Sequence, residues 1–447
     1  SGASIDAEIL QTMAQRCERH GGDALEIARQ NSFGFAHSLL ASTPQSKHEK
    51  QPFSSDGETW IVGDVRIDAR KELIALLEQA GQRAHDDLPD IELVLKAHAA
   101  WGESCVHHLL GDFSFAIWNE PTQTLFCARD HFGVKPFYYS SNATCFVFSN
   151  DLDAVRSHPN ASDQLNDEAI CDYFAFGYNL NEHSTSFQHV DRLPPGHFLV
   201  WTSGRGVVLK KYRNIDVSGR LEYKTSEEYA EHFLDLFSKA VGDRLRTDNV
   251  CFELSGGLDS TSVAATAADL NAGNAQFSGL GITTDGSALS PEDKEARYAR
   301  LVAERSGLKH VTIEAGRAED FYRFCETAQP YAWPFAATTK RFARTARSHG
   351  KVLLGGQFGD VLMQGSGSRL RDEFRERSLP AFAWERVQAV FEKRSLRALG
   401  LRTLAGRHRP NVPLPPIPEW IRQDALQRSR SEERWKELFY SKSRFPR

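Results

Sequence analysis

Cysteine is scarce and unpatterned in this chain. Cys17, Cys105, Cys127, Cys145, Cys171, Cys251 and Cys325 are odd in number and never stand in Cys-x-x-Cys spacing. A disulfide framework and a cysteine metal cluster are therefore not expected. Long apolar runs are also missing, so no segment reads as a bilayer span. The chain opens polar with Ser1-Gly2-Ala3-Ser4, which does not read as a signal peptide. Neither sign of charge dominates: 54 basic residues stand against 59 acidic ones, for a formal net charge of −5. That balance points away from a nucleic-acid partner or an anionic membrane surface, although the last forty residues are locally basic. The sixteen histidines lack metal-ligand spacing, and His107-His108 reads as part of a structural helix face. Internal repeats and low-complexity tracts are absent. What remains is an ordinary globular composition, 40% hydrophobic and 25% charged. At 447 residues, two domains of roughly 200 residues each are expected, in the reducing cytoplasm.

The informative stretch is Cys251-Phe252-Glu253-Leu254-Ser255-Gly256-Gly257-Leu258-Asp259-Ser260-Thr261-Ser262-Val263-Ala264. An apolar run ends in a Gly-rich turn with one acid and several hydroxyls, and an Ala-rich helical pattern follows. Paired glycines let the backbone approach an anion, and a helix start aims free N–H groups and a positive dipole end at it. Asp259 among phosphate-binding groups implies a metal ion between acid and phosphate, most simply Mg²⁺. The loop carries no lysine, so it is not the lysine-bearing nucleoside-triphosphate loop. Its Ser-Gly-Gly-Xaa-Asp-Ser pattern is similar to the pyrophosphate loop of enzymes that split ATP into AMP and pyrophosphate.

The rhythm of the chain changes once. Its first half mixes helical spacing (Asp6 to Cys17 and Ile91 to Leu109) with strand-like runs at 60–62, 113–118, 124–128 and 145–148. Residues 119–123 read as a hairpin connection, and residues from about 202 to 224 as a linker. From Ser226 onward, helix and strand alternate. Helices at 227–244, 261–270, 292–306 and 338–349 are interleaved with strands at 250–254, 277–283, 310–314 and 352–355. Such alternation implies a doubly wound parallel sheet with ligands at the carboxyl ends of its strands.

Four stretches, in order, resemble the asparagine synthetase B family. They are Leu110 to Trp118, Ala128 to Tyr139, Leu254 to Ser260, and Lys351-Val352-Leu353-Leu354-Gly355-Gly356-Gln357-Phe358-Gly359-Asp360. The resemblance implies an α+β N-terminal nucleophile hydrolase-like sandwich over 1–205 and a linker over 206–225. An α/β doubly wound parallel-sheet ATP-pyrophosphatase domain over 226–447 would follow, shortened at its C-terminal end. Residue by residue, it implies that Ser255, Gly256, Gly257, Leu258, Asp259 and Ser260 hold the pyrophosphate of ATP. Asp259 and Asp360 would ligate Mg²⁺, Gly356 would line the nucleotide site, and the backbone near Leu280 and Gly281 would read the base. Asp259, Asp360 and Gln357 are the implied catalytic set. Arg129-Asp130 and Lys135-Pro136 are expected to hold the domain core or its interface.

The departures from the family carry the functional expectation. A glutamine-dependent member begins with a nucleophilic cysteine; here Ser1-Gly2 stands first and reads as a non-native addition. The glutamine-binding Asn-Gly-Glu turn corresponds to Val62-Gly63-Asp64-Val65, and the expected arginine falls in Ser42-Thr43-Pro44-Gln45, where none exists. Asp90 alone matches the amine-binding acid, so the first domain is expected to lack glutaminase activity. In the second domain, Gln357 and Val361 replace two acids of a Gly-Glu-Gly-Xaa-Asp-Glu run, and glutamine cannot take a proton. The family's late lysine segment is not evident; Lys442 reads as part of a solvated tail. Tyr331 and Trp333-Pro334-Phe335 read as a loop near the site mouth. These departures are similar to those of β-lactam synthetases and lasso-peptide macrocyclases. The expectation is an AMP-forming amide ligase acting on a small-molecule or peptide carboxylate. In the macrocyclase reading it has a precursor-peptide-processing partner protein. A divergent asparagine synthetase and a nucleotide-binding scaffold are the alternatives.

Overall fold

The computed structural model describes residues 5–18, 22–30, 32–214, 221–285, 294–314, 336–357, 359, 417–418 and 421–440. The first domain opens with helix α1 (Ala7–Cys17), whose start is capped by the Asp6 carboxylate accepting from the Glu8 and Ile9 N–H groups. Strands β1 (Ala24–Arg29) and β2 (Gly34–Leu39) form an antiparallel pair. The main sheet contains β3 (Phe53–Ser54), β4 (Thr59–Ile67), β5 (Gly111–Asn119), β6 (Thr124–Arg129), β10 (His197–Thr202) and β11 (Gly206–Lys211), in the order β11-β10-β6-β5-β4-β3. Between β6 and β10 the chain adds a small antiparallel sheet of β7 (Tyr138–Ser141), β8 (Phe146–Ser149) and β9 (Asp191–Arg192), with the short helix α4 (Leu152–Arg156) following β8.

Alternation along β4 and β5 sends Ile61, Ile67, Phe113, Phe115 and Ile117 into one core. There they meet α2 (Arg70–Gln79) and α3 (Asp90–Trp101). Val62, Ala116 and Trp118 enter a second core with Phe33, Phe35 and Phe137. Each fully buried large apolar side chain contributes about 1.5–3 kcal/mol. The helix expected to run to Leu109 stops at Trp101. Gly102 takes φ +57°, and residues 102–107 continue as a 3₁₀ turn. Residues 206–211, expected within the linker, form β11 and close the edge of the main sheet by pairing with β10. Arg129 and Asp130 brace this domain as expected. The buried Arg129 guanidinium donates to the carbonyls of Gly133, Lys135 and Leu193, and Asp130 accepts from the N–H groups of Phe132, Val134 and Lys135.

The second domain is a parallel sheet of β12 (Asn249–Glu253), β13 (Ser278–Asp285), β14 (Lys309–Glu314) and β15 (Val352–Leu354), ordered β14-β13-β12-β15. Helices α6 (Ser226–Gly242), α7 (Leu258–Leu270), α8 (Lys294–Arg305) and α9 (Ala336–Arg347) accompany it. Phe252 and Leu254 pack on Ala264 and Ala267 of α7, while Cys251 and Ile282 meet Ala346 of α9 on the opposite face. The strand order steps outward from β12 to β13 to β14 and then returns to β15 on the other side of β12. That reversal opens a crevice above the carboxyl ends of β12 and β15, where open α/β sheets bind ligands. The short helices α10 (Gln423–Ser429) and α11 (Ser431–Tyr440) rest on α5 (Asp167–Phe176) of the first domain. Buried Asp172 there accepts from Ser431 Oγ at 2.8 Å and from Arg434.

Candidate functional site

The loop Ser255–Gly257 leaves β12 at that crevice and turns directly into α7. Gly256 takes φ +79°, a left-handed conformation that favours glycine, and a Cβ there would collide with the Glu295 carbonyl. Gly257 is the N-cap of the thirteen-residue α7 and makes no side-chain capping bond. The first helical N–H groups thus face the crevice at the positive end of the dipole, the arrangement that suits a phosphate. Two hydroxyls fix the loop: Ser260 Oγ accepts from the Ser255 N–H at 3.2 Å and lies 3.0 Å from Ser255 Oγ. Ser255 Oγ in turn accepts from the Gly257 N–H at 3.3 Å. Leu258 projects outward, 85% exposed, and Asp259 occupies the first turn of α7.

The segment after β15 closes on this loop. A Cβ on Gly356 would collide with the Ser260 N–H and Asp259, and one on Gly359 would collide with the Asp259 carboxyl group. The structure thus brings Ser255, Gly256, Gly257, Leu258, Asp259, Ser260, Gly356 and Gln357 into one crevice. Asp360 lies outside the described residues, as do Tyr331, Trp333-Pro334-Phe335, Val361 and Lys442. Leu280 and Gly281 do not join the loop surface. They sit near the beginning of β13, inside the ladder between β12 and β14, and the missing Cβ of Gly281 makes room for Leu254. Their side-chain positions serve the packing of the sheet, that of Gly281 on Leu254. Sequence reasoning passed over Glu253, whose Oε2 accepts from Gln357 Nε2 at 3.3 Å. Its signal was an acid ending an otherwise apolar strand.

The donor set fits Mg²⁺-bound ATP: helix N–H groups with no partner among the described residues for phosphate oxygens, and a carboxylate at Asp259 for a hard divalent cation.

The first domain holds a cavity of about 1070 Å³ whose lining includes Phe33, Phe137, Trp201, His37, Glu49 and Asp64. Burial pushes the His37 imidazole down to about 4, against the pull of Asp64. Burial, with Asp90 and Asp64 nearby, pushes Glu49 up to about 7. Asp90 and Gly63-Asp64, the positions weighed above for glutamine contact, are already engaged within the chain. Asp90 takes Arg70 on one carboxylate oxygen; the other accepts from Arg246 Nη1 at 2.6 Å and from the Ile67 N–H at 2.9 Å. Arg246 belongs to the second domain and also donates to Gln45 Oε1 at 2.9 Å. Gly63 is bridged by the carboxamide of Gln51, which accepts from its N–H at 2.8 Å and donates to its carbonyl at 3.0 Å. Asp64 pairs with Lys135 at 2.8 Å. Further contacts join the domains: Arg244 reaches Asp68, and the Ala69 N–H donates to Asp243 at 3.2 Å.

Comparison with known proteins places these two units in a family. Residues 2–213 match the glutamine amidotransferase domain, and residues 232–445 match the asparagine synthase domain. Among curated proteins, asparagine synthetase [glutamine-hydrolyzing] 3 of Bacillus subtilis is 29% identical over 278 residues, covering 59% of this chain and 43% of that protein. Asparagine synthetase [glutamine-hydrolyzing] 2 of the same organism is 27% identical over 386 residues, covering 81% and 50%. A putative asparagine synthetase [glutamine-hydrolyzing] 2 of Methanocaldococcus jannaschii is 25% identical over 410 residues, covering 85% and 77%. The chain spans about half the length of the Bacillus relatives it matches. Among the described residues no helix is long and apolar enough to cross a membrane. With an N-terminal nucleophile-type glutamine amidotransferase domain ahead of an asparagine synthase domain of the ATP-pyrophosphatase type, this chain belongs to the asparagine synthetase family.

Proposed function

We propose that the chain is an ATP-dependent, AMP-forming amide ligase. ATP supplies an activated phosphorus at the Ser255–Ser260 loop. A substrate carboxylate oxygen attacks the α-phosphorus, pyrophosphate departs, and an amine then displaces AMP to form the amide. The loop's contribution is electrostatic and positional: the α7 N–H groups face the departing pyrophosphate, and Asp259, together with Asp360, would hold Mg²⁺ against it. The observation that carries this reading is the Gly256–Ser260 turn at the β12–β15 switch point, clamped from above by Gly356.

Asp90 is held by two guanidiniums and Gly63 by Gln51, and neither Ser42-Thr43-Pro44-Gln45 nor Val62-Gly63-Asp64 supplies the family's recognition groups. This supports a first domain that does not release ammonia from glutamine. An amine carried by the substrate itself follows, as in a peptide macrocyclase or another specialised-metabolite cyclase. The names of the relatives favour a second reading, a divergent asparagine synthetase acting on aspartate and ammonia. Exchange of labelled pyrophosphate into ATP tests the shared chemistry. Product analysis with L-aspartate and either ammonium or L-glutamine separates the readings. Asparagine made from ammonium favours the second reading, and glutamate released from L-glutamine overturns the account of the first domain. Absence of exchange with amino-acid and peptide carboxylates would favour a nucleotide-binding scaffold.

A further inference from the structure

An acid closes the strand that leads into the pyrophosphate loop. Along β12, Phe252 and Leu254 enter the core beneath α7, and Cys251 faces Ala346 of α9. Alternation places Glu253 on the Cys251 face, at the carboxyl edge of the sheet, where the chain leaving β15 passes. Gln357 Nε2 donates to Glu253 Oε2 at 3.3 Å, and a Cβ on Gly355 would lie 2.9 Å from the same oxygen. The carboxylate therefore lies across the exit of β15. It stands in the same crevice where Gly356 meets Asp259 and Ser260. Among the described residues no lysine or arginine pairs with it. A half-buried carboxylate with only a neutral amide as partner is costly unless it serves a ligand. The amide at 357 suits it, because a second carboxylate there would set two like charges side by side.

We propose that Glu253 is the base that takes a proton from the acceptor amine, and that Gln357 is a positioning residue that aims it. This rests on the amide-ligase reading above. The acceptor arrives as an ammonium ion and gives one proton to the Glu253 carboxylate. The freed nitrogen lone pair attacks the acyl carbon of the adenylate and the C–N bond forms. The acyl C–O bond to phosphate breaks, and its electron pair leaves with AMP. The remaining surplus proton on nitrogen passes to water, and Glu253 returns its own proton to water. One acyl-adenylate and one ammonium thus yield one amide, AMP and two protons.

The test uses the full chain, Mg²⁺–ATP and, as carboxylates, the twenty proteinogenic amino acids and short linear peptides. Three readouts are taken: pyrophosphate exchange, amide formation with ammonium, and hydroxamate formation with hydroxylamine, which is neutral at neutral pH and needs no base. For Glu253→Gln we expect amide formation from ammonium to fall by roughly 10²–10³-fold, in the usual range for a lost general base. Exchange and hydroxamate formation should fall far less. The acidic limb of the amide-forming pH profile should vanish, and the swap E253Q/Q357E should recover much of the loss. Equal losses in all three readouts, or no loss with ammonium, would overturn the role of Glu253 and leave adenylation standing. No exchange by the natural chain with any of these carboxylates would instead overturn the ligase reading, and the base with it.

Discussion

Asp90 offers a quantitative test because its partners come from both domains. Its side chain is 6% exposed, and those of Arg70 and Arg246 are 10% and 14% exposed. Replacing Arg246 by Ala leaves Asp90 with Arg70 and the Ile67 N–H. The charged hydrogen bond to Asp90 is lost, at a cost of about 1.5–3 kcal/mol, together with the bond to the half-buried Gln45, whose carboxamide can turn to water. Asp90→Asn is more severe. It leaves two guanidiniums facing each other without a counter-charge, and removing one partner of a buried ion pair costs about 3–5 kcal/mol. In D90N the surviving Arg246 is itself a liability, so the double variant should cost less than the sum of the singles by about 1–3 kcal/mol. Calorimetry of the full chain reads this, since each kcal/mol moves the melting of a domain of this size by about 2–4 °C. Domain transitions need to be followed separately in a two-domain chain. Equal costs for the two singles, adding within about 0.5 kcal/mol in the double, would refute a shared interdomain cluster.

Other perturbations follow from the same geometry. Gly256→Ala forces a Cβ against the Glu295 carbonyl at a positive φ. It should destabilise by about 1–3 kcal/mol and abolish ATP binding measured by calorimetric titration. Ser260→Ala removes the hydroxyl that takes the Ser255 N–H; about 1–2 kcal/mol of stability should go, with KM for ATP rising more than kcat falls. Glu49 gives a pH signature. Its pKa is about 7 in the fold, against an ordinary 4.5, so the folded chain binds the extra proton between those values. Its contribution to stability therefore declines as pH rises from about 4.5 to 7, by on the order of 3 kcal/mol in all. Glu49→Gln should remove that slope and be the more stable protein above pH 7 in denaturant melts.

Local signals made the second domain legible. Alternating apolar and amphipathic segments located the described strands to within a residue or two, and the Gly-rich turn marked the crevice because its chemistry is contiguous in sequence. What escaped was set by tertiary partners. Nothing near Asp90 announces Arg246, which arrives from the other domain, and nothing near Gly63 announces Gln51. Residues 206–211 looked like linker because only their pairing with β10 makes them a strand. The small size of Gly281 makes room for Leu254, a partner that nothing in its own segment announces. Glu253 was visible as a charge in an apolar run, but its meaning depends on Gln357, a hundred residues away in sequence and 3.3 Å away in space.

The central claim is that the Ser255–Ser260 loop supports AMP-forming activation of a carboxylate. Exchange of labelled pyrophosphate into ATP, measured on the natural chain and on Asp259→Asn, tests it most directly. We expect carboxylate-dependent and Mg²⁺-dependent exchange that falls by roughly 10²-fold or more in the variant, with its fold retained. Undiminished exchange in Asp259→Asn, or ADP and phosphate as the products of ATP turnover, would contradict the account.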